Sequence, residues 1–197
     1  VLNKHKTKDH EQREQSRKAI IDILHELGPN YFHFAIKHMK TSFVDGFQVP
    51  ILLVTLLDIL KHVGTKYINV TIDSAVPLLL DIYLNKIKST YQIEQVKDMK
   101  EKLVTEDFNV VYDAFDIIGR VITFDKSVEL IIQRIDDILQ GMHVQTVLAR
   151  VERILARFLH GLQQNTSVNE ENLSQFVLKM LQDKGIYNRQ FTKYKQE

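Results

Sequence analysis

Residues 27–63, LGPNYFHFAIKHMKTSFVDGFQVPILLVTLLDILKHV, carry two helical patterns on either side of a tight turn. In the first, Phe32, Ala35, Ile36, Met39 and Phe43 recur three or four residues apart and so fall on one face of a helix of about 30–45. His33, Lys37, Lys40 and Thr41 lie largely off that stripe. Gly28-Pro29 ends the helix before it, and Asn30 is placed to cap the new one. Asp45-Gly46 then breaks the helix, because glycine takes the positive φ that a helix end often needs. The second pattern, about 48–63, is apolar almost all round. Only Thr55, Asp58, Lys61 and His62 interrupt it, and Thr55, Asp58 and His62 share one narrow edge. Pro50 fits the first turn, where its missing N–H costs nothing. An amphipathic outer helix followed by an inner helix covered on most sides is the unit of a stacked helical-pair repeat.

The length of 197 residues holds four to five such pairs of about 40 residues each. Hydrophobic residues make up 44% of the chain, enough to bury a core rather than stay disordered. Lys+Arg at 26 against Asp+Glu at 25 leaves a net charge of +1, so overall charge does not require a nucleic-acid partner, while local patches still could bind one. The absence of cysteine excludes disulfides and thiolate metal sites. No run approaches the about 20 apolar residues of a membrane span. The chain begins without Met and without a signal-peptide core, and the expectation is a segment of a longer protein.

Working outward, residues 1–8 are polar and basic and are expected to fray. A helix is expected from about Asp9 to Leu27, with Ala19, Ile20, Ile23, Leu24 and Leu27 as its stripe. After the central pair and a connector at Thr65–Asn69, the next helix covers about Val70 to Lys88. Pro77 either kinks it or moves its start towards Ser74. Residues 89–104, STYQIEQVKDMKEKLV, are the least apolar internal stretch and read as an exposed insertion. Periodicity resumes near Glu106 with Phe108, Val111, Phe115, Ile118 and Ile122. A helix capped by Asp125 then runs to about Gln140, another covers Val144 to Leu162, and a last one opens at Asn169 and reaches about Lys184. The tail 185–197 mixes cations with Tyr187, Phe191 and Tyr194. The expected fold is all-α: about eight helices in HEAT-like hairpins stacked into a solenoid over 9–184, with a closed bundle as the alternative.

Chemistry is sparse. No glycine-rich phosphate loop is present, and the glycines stand singly. His25-Glu26 begins like a zinc-binding HExxH, but Pro29 stands where the second histidine belongs. His33 and His38 are five apart and point to different sides of a helix. Asp113 and Asp116, one turn apart, and the adjacent Asp136-Asp137 lack a partner nucleophile, so they read as solvated helix faces. Asn69-Val70-Thr71 and Asn165-Thr166-Ser167 match the glycosylation pattern, which chance explains in the absence of a secretory signal. Arg150, Arg153 and Arg157, at i, i+3 and i+7, form a stripe on one helix face that could track phosphates or stay solvated. Arg189, Lys193 and Lys195 form a second basic cluster among the tail aromatics.

Leu27-Gly28-Pro29-Asn30-Tyr31-Phe32, Lys40-Thr41-Ser42-Phe43, Gly46-Phe47-Gln48-Val49 and Thr55 resemble the central region of the "down-regulated in metastasis" family, component twenty of the small-subunit processome. In that family a helix opens LGPxYF, turns through RGYQ and enters a helix beginning HVL. Asp81-Ile82 followed by Lys97-Asp98-Met99-Lys100-Glu101 is similar to its lysine-rich insertion after a DI-rich helix. The resemblance covers about 27–110. Asp45 stands where the family has arginine and Pro50 where it has histidine. The resemblance implies a giant HEAT-repeat scaffold of the nucleolus that braces pre-ribosomal RNA, assembly proteins and its own flanking repeats, without catalytic residues. No cofactor, metal, membrane or small-molecule substrate is expected. The competing reading is a cytosolic HEAT-type adaptor for transport or translation partners.

Overall fold

The structure, a computed structural model, describes residues 10–43, 48–64, 72–94, 108–142 and 144–183. Among these residues there are eight α-helices and no strand. They are α1 (His10–Leu27), α2 (Phe32–Ser42), α3 (Gln48–Ile59, prolonged by a π turn Leu60–Gly64), α4 (Val76–Glu94), α5 (Asn109–Val121), α6 (Phe124–Gly141), α7 (Gln145–Leu162) and α8 (Glu170–Asp183).

The odd helices α1, α3, α5 and α7 pack side by side in one layer. The even helices α2, α4 and α6 form the other. Helix α8 continues the even layer, with Phe176 edge-on to Phe124 of α6 at 5.6 Å between centroids and Lys179 Nζ 2.8 Å from both Glu129 oxygens. The core lies between the layers. Leu52, Leu53, Thr55, Leu56, Leu57 and Ile59 of α3 are all buried, as its all-round apolar pattern requires.

The repeat is also visible in polar links between helices two apart. Arg17 meets Asp58, His33 meets the Ser74 carbonyl and Lys40 meets Asp81, each spanning 41 residues. His160 reaches Asp116 across 44, and Lys179 reaches Glu129 across 50. A chain whose side chains bond one hairpin further on, again and again, is a solenoid of HEAT-like pairs, whose period is about 40–47 residues.

Local chemistry sets the helix ends, and not always through the expected residue. Gly28 takes φ +81 and its N–H closes on the Leu24 carbonyl at 3.0 Å, ending α1. Asn30 does not cap α2. It sits in a 3-10 turn, Pro29–Tyr31, that runs straight into the helix and leaves no break for its side chain. Asp125 does not cap α6 either, because the helix begins one residue earlier. Its end is capped from two other hairpins: Asp73 Oδ1 accepts the Thr123 N–H, and Ser167 Oγ accepts the Phe124 N–H, each at 3.0 Å. Asn169 does open α8, in a reciprocal box with Asn172, each side-chain oxygen accepting the other's backbone N–H at 2.8 Å.

Pro77 is the second residue of α4, behind a 3-10 turn Asp73–Ala75, so it belongs to the first turn and does not kink the helix. The helix expected to stop at Lys88 continues to Glu94. Thr90 is buried and Tyr91 packs against the core, extending the Ile87 stripe at three- and four-residue steps through residues too polar to mark it. The remainder of the expected insertion, the frayed start, the Asp45-Gly46 break, the Thr65–Asn69 connector and the tail lie outside the described residues.

Candidate functional site

The closest helix crossing joins α5 and α7. A Cβ on Gly119 would lie 2.5 Å from the Phe158 carbonyl oxygen, and one on Gly161 would collide with the Asp116 carbonyl. Both obstacles are backbone, so only glycine permits this approach. Phe115, Ile118, Ile154 and Phe158 fill the surrounding seam without solvent exposure.

Asp116, expected in water, is buried at this crossing. Its carboxylate takes the His160 Nδ1 at 2.5 Å and the guanidinium of Arg120 one turn along its own helix. A carboxylate accepts only, so Nδ1 carries the proton. The other ring nitrogen of His160 meets the Gln164 amide at 3.5 Å, and among the described residues no hydroxyl bonds to it. The pair joins α5 to α7 and fixes the register of the two helices.

The arginine stripe of α7 lies along the same seam, each member matched to a residue of α5 or of the turn that opens it. The Arg150 guanidinium lies 4.6 Å from the centre of the Phe108 ring, and Arg153 the same distance over Tyr112. Arg157 Nη2 stands 3.7 Å from Asp113 Oδ1, an exposed pair. Arg153 and Arg157 are exposed and Arg150 is half-buried. Arg189, Lys193 and Lys195 lie outside the described residues.

The polar edge of α3 is used inside the fold. Thr55 Oγ1 donates to the Ile51 carbonyl at 2.7 Å, Asp58 accepts from Arg17 of α1 at 2.9 Å, and the His62 ring meets the Asp58 carbonyl. Beneath it Tyr83 of α4 is fully buried and donates to the Leu53 carbonyl at 3.2 Å. Burial, and then the Asp58 charge, push its hydroxyl well above the ordinary tyrosine range.

Asn165 of the polar turn after α7 is buried. Its Nδ2 donates to the Gly119 and Ile122 carbonyls at 2.7 and 2.8 Å, and its Oδ1 accepts the Ser167 N–H. This amide, part of a glycosylation-like triplet, is committed to tying down the end of α5. Among the described residues no three His, Asp or Glu side chains gather to hold a metal, and no helix is long and apolar enough to cross a membrane.

Apolar surface is concentrated at the two ends of the stack. Ile23, Leu27, Tyr31 and Phe34 line an open groove of about 360 Å³ between α1 and α2. Leu173, Val177 and Leu178 stand exposed on α8.

Residues 1–181 match the family of the U3 small nucleolar RNA-associated protein 20 domain, a wider span than the 27–110 stretch that carries the resemblance in sequence. A relative from Schizosaccharomyces pombe (strain 972 / ATCC 24843), U3 small nucleolar RNA-associated protein 20, is 27% identical over 177 residues. That alignment takes in 86% of this chain but only 7% of the relative, so the chain spans a small fraction of that protein's length. With nearly all of its helices inside the matched span, the chain belongs to the U3 small nucleolar RNA-associated protein 20 domain family.

Proposed function

We propose that this chain is a non-catalytic scaffold segment of a small-subunit processome protein, supporting pre-ribosomal RNA processing and small-subunit assembly in the nucleolus. The observation that carries this reading is a two-layer stack, cross-linked at one-hairpin spacing, in a chain of this family. Such a stack offers long surfaces and fixed spacing rather than a pocket for chemistry. The apolar faces at its two ends suit further helices of the same kind. Exposed Arg153 and Arg157, with Arg150 beside them, are the proposed contact surface for phosphates or acidic partners; from sequence alone Arg189, Lys193 and Lys195 are proposed as further contacts.

The adaptor reading needs an acidic or aromatic-lined concave groove, for which the inner edge of α3 offers Thr55, Asp58 and His62. Asp58 and Thr55 are occupied by Arg17 and the backbone, which favours the scaffold. Depleting the full-length protein from its own cells tests the proposal. Accumulation of unprocessed small-subunit precursor RNA is the expected result. Normal processing accompanied by a defect in transport or translation would overturn it.

A further inference from the structure

A cleft of about 310 Å³ opens on the even layer, where α4 runs between α2 and α6. Its rim is charged and comes from three hairpins: Lys40 of α2, Asp81, Asn85 and Lys88 of α4, and Arg134 and Asp137 of α6. Its floor is aliphatic and already committed to the core, since Leu80, Leu84 and Ile138 are all buried. Positions 81, 84, 85 and 88 share one face of α4, and 134, 137 and 138 one face of α6, so the rim is fixed by two helices rather than by a loop.

The charges do not cancel. Lys40 Nζ is bonded to Asp81 at 3.0 Å, a pair that is neutral as a unit. Among the described residues neither Lys88 nor Arg134 has an acidic partner, and both are exposed. Asp137 offsets one of the two, leaving the rim net positive. Two unpaired cations from adjacent helices, lining one cleft together with the Asn85 amide, match a phosphate bridging point.

We infer that the α2–α4–α6 cleft seats backbone phosphate of RNA, held between Lys88 and Arg134. This rests on the scaffold reading and deepens it by naming a second contact surface, on the layer opposite the arginine stripe. A peptide partner fits less well. Peptide hot spots need apolar or aromatic anchors, and here the aliphatic floor is covered while no aromatic side chain lines the rim. For the same reason the cleft reads the backbone and not the base, so binding there is independent of sequence.

The test uses the purified full-length protein and a fluorescein-labelled, mixed-sequence single-stranded RNA, titrated at several salt concentrations between about 50 and 200 mM. The double variant K88E/R134E is expected to weaken binding at least tenfold. The neutral pair K88Q/R134Q is expected to flatten the plot of log affinity against log salt by about 0.7 for each phosphate no longer neutralised. Both residues are exposed, so the helical circular dichroism and melting temperature of either variant should match the parent; this control separates weakened binding from unfolding. Inorganic phosphate at matched ionic strength should displace the RNA only in part, because a free ion competes for Lys88 and Arg134 alone while a strand keeps its other phosphate contacts. Wild-type affinity and salt slope in both variants would overturn the inference, as would the disappearance of a protein from the purified particle with RNA binding unchanged. In either case recovery of precursor RNA with the parent protein would leave the scaffold reading standing, so the two failures are distinguishable.

Discussion

Helices α1 and α3 stand in the same relation as α5 and α7, next neighbours in the odd layer, yet the two seams are built differently. At α5–α7 glycine faces backbone from both sides, and the buried Asp116 is gripped by Arg120 and His160. At α1–α3 the two helices are linked by the long reach of Arg17 to Asp58, and nearby Ile23 and Leu27 stay exposed. A solenoid therefore need not space its helices evenly. At α5–α7 the two glycines permit the approach, and polar side chains fix the register at both seams.

The largest effect should come from filling the closer seam. Gly161→Ala places a methyl carbon against the Asp116 carbonyl, and we expect a loss of about 3 kcal/mol in chemical denaturation of the chain, the upper end of ordinary overpacking. The same change at Gly141, where nothing lies within 4 Å, should be neutral or stabilise by up to about 1 kcal/mol through helix propensity. Equal losses at the two glycines would remove the close approach from the account.

Next in size is Asn165→Ala, which strips the Gly119 carbonyl of its side-chain donor and leaves the Ile122 carbonyl to the Ser167 hydroxyl alone. A loss of about 2 kcal/mol is expected, with faster amide hydrogen exchange at the end of α5 and little change in α1. Uniform exchange through the chain would mean that the clamp is not local. At the looser seam, Asp58→Asn should cost about 1 kcal/mol, because the Arg17–Asp58 pair is only partly shielded from solvent. A loss there as large as at Gly161 would erase the contrast between the seams.

The smallest effect is the most specific. Tyr83→Phe removes one buried hydrogen bond and should cost about 0.5–1 kcal/mol at neutral pH. The folded state holds the Tyr83 hydroxyl well above its unfolded value near 10, so its contribution is complete below that pH. As pH rises past about 10 the unfolded chain releases the proton more readily, and stability falls. The Tyr83→Phe variant should lack that part of the alkaline fall, and parallel alkaline limbs for variant and parent would contradict the assignment.

What could be read from the sequence follows from the range over which each force acts. The α3 pattern, the stripes of α2 and α5, the Gly28 stop and the Asn169 start are encoded within a few residues, so periodicity and capping chemistry reveal them. The extension of α4 was hidden because Thr90 and Tyr91 pack inward without being aliphatic. The remaining features depend on residues some 40 to 50 positions away. Gly119 and Gly161 look like isolated helix glycines until they face each other's backbone, and Asp116 looks solvated until α7 covers it. The arginine stripe was visible as spacing, but its rings, Phe108 and Tyr112, lie one hairpin earlier in the chain. The charged cleft was invisible because α2, α4 and α6 each supply a single cation to it.

The central claim is a stacked-hairpin scaffold working on precursor RNA, and the most direct measurement is on the protein in its own cells. The full-length protein would be tagged, purified at moderate salt, and the accompanying RNA and proteins sequenced. Pre-ribosomal RNA together with small-subunit assembly factors is the predicted result. Recovery of transport or translation proteins without that RNA would contradict the account.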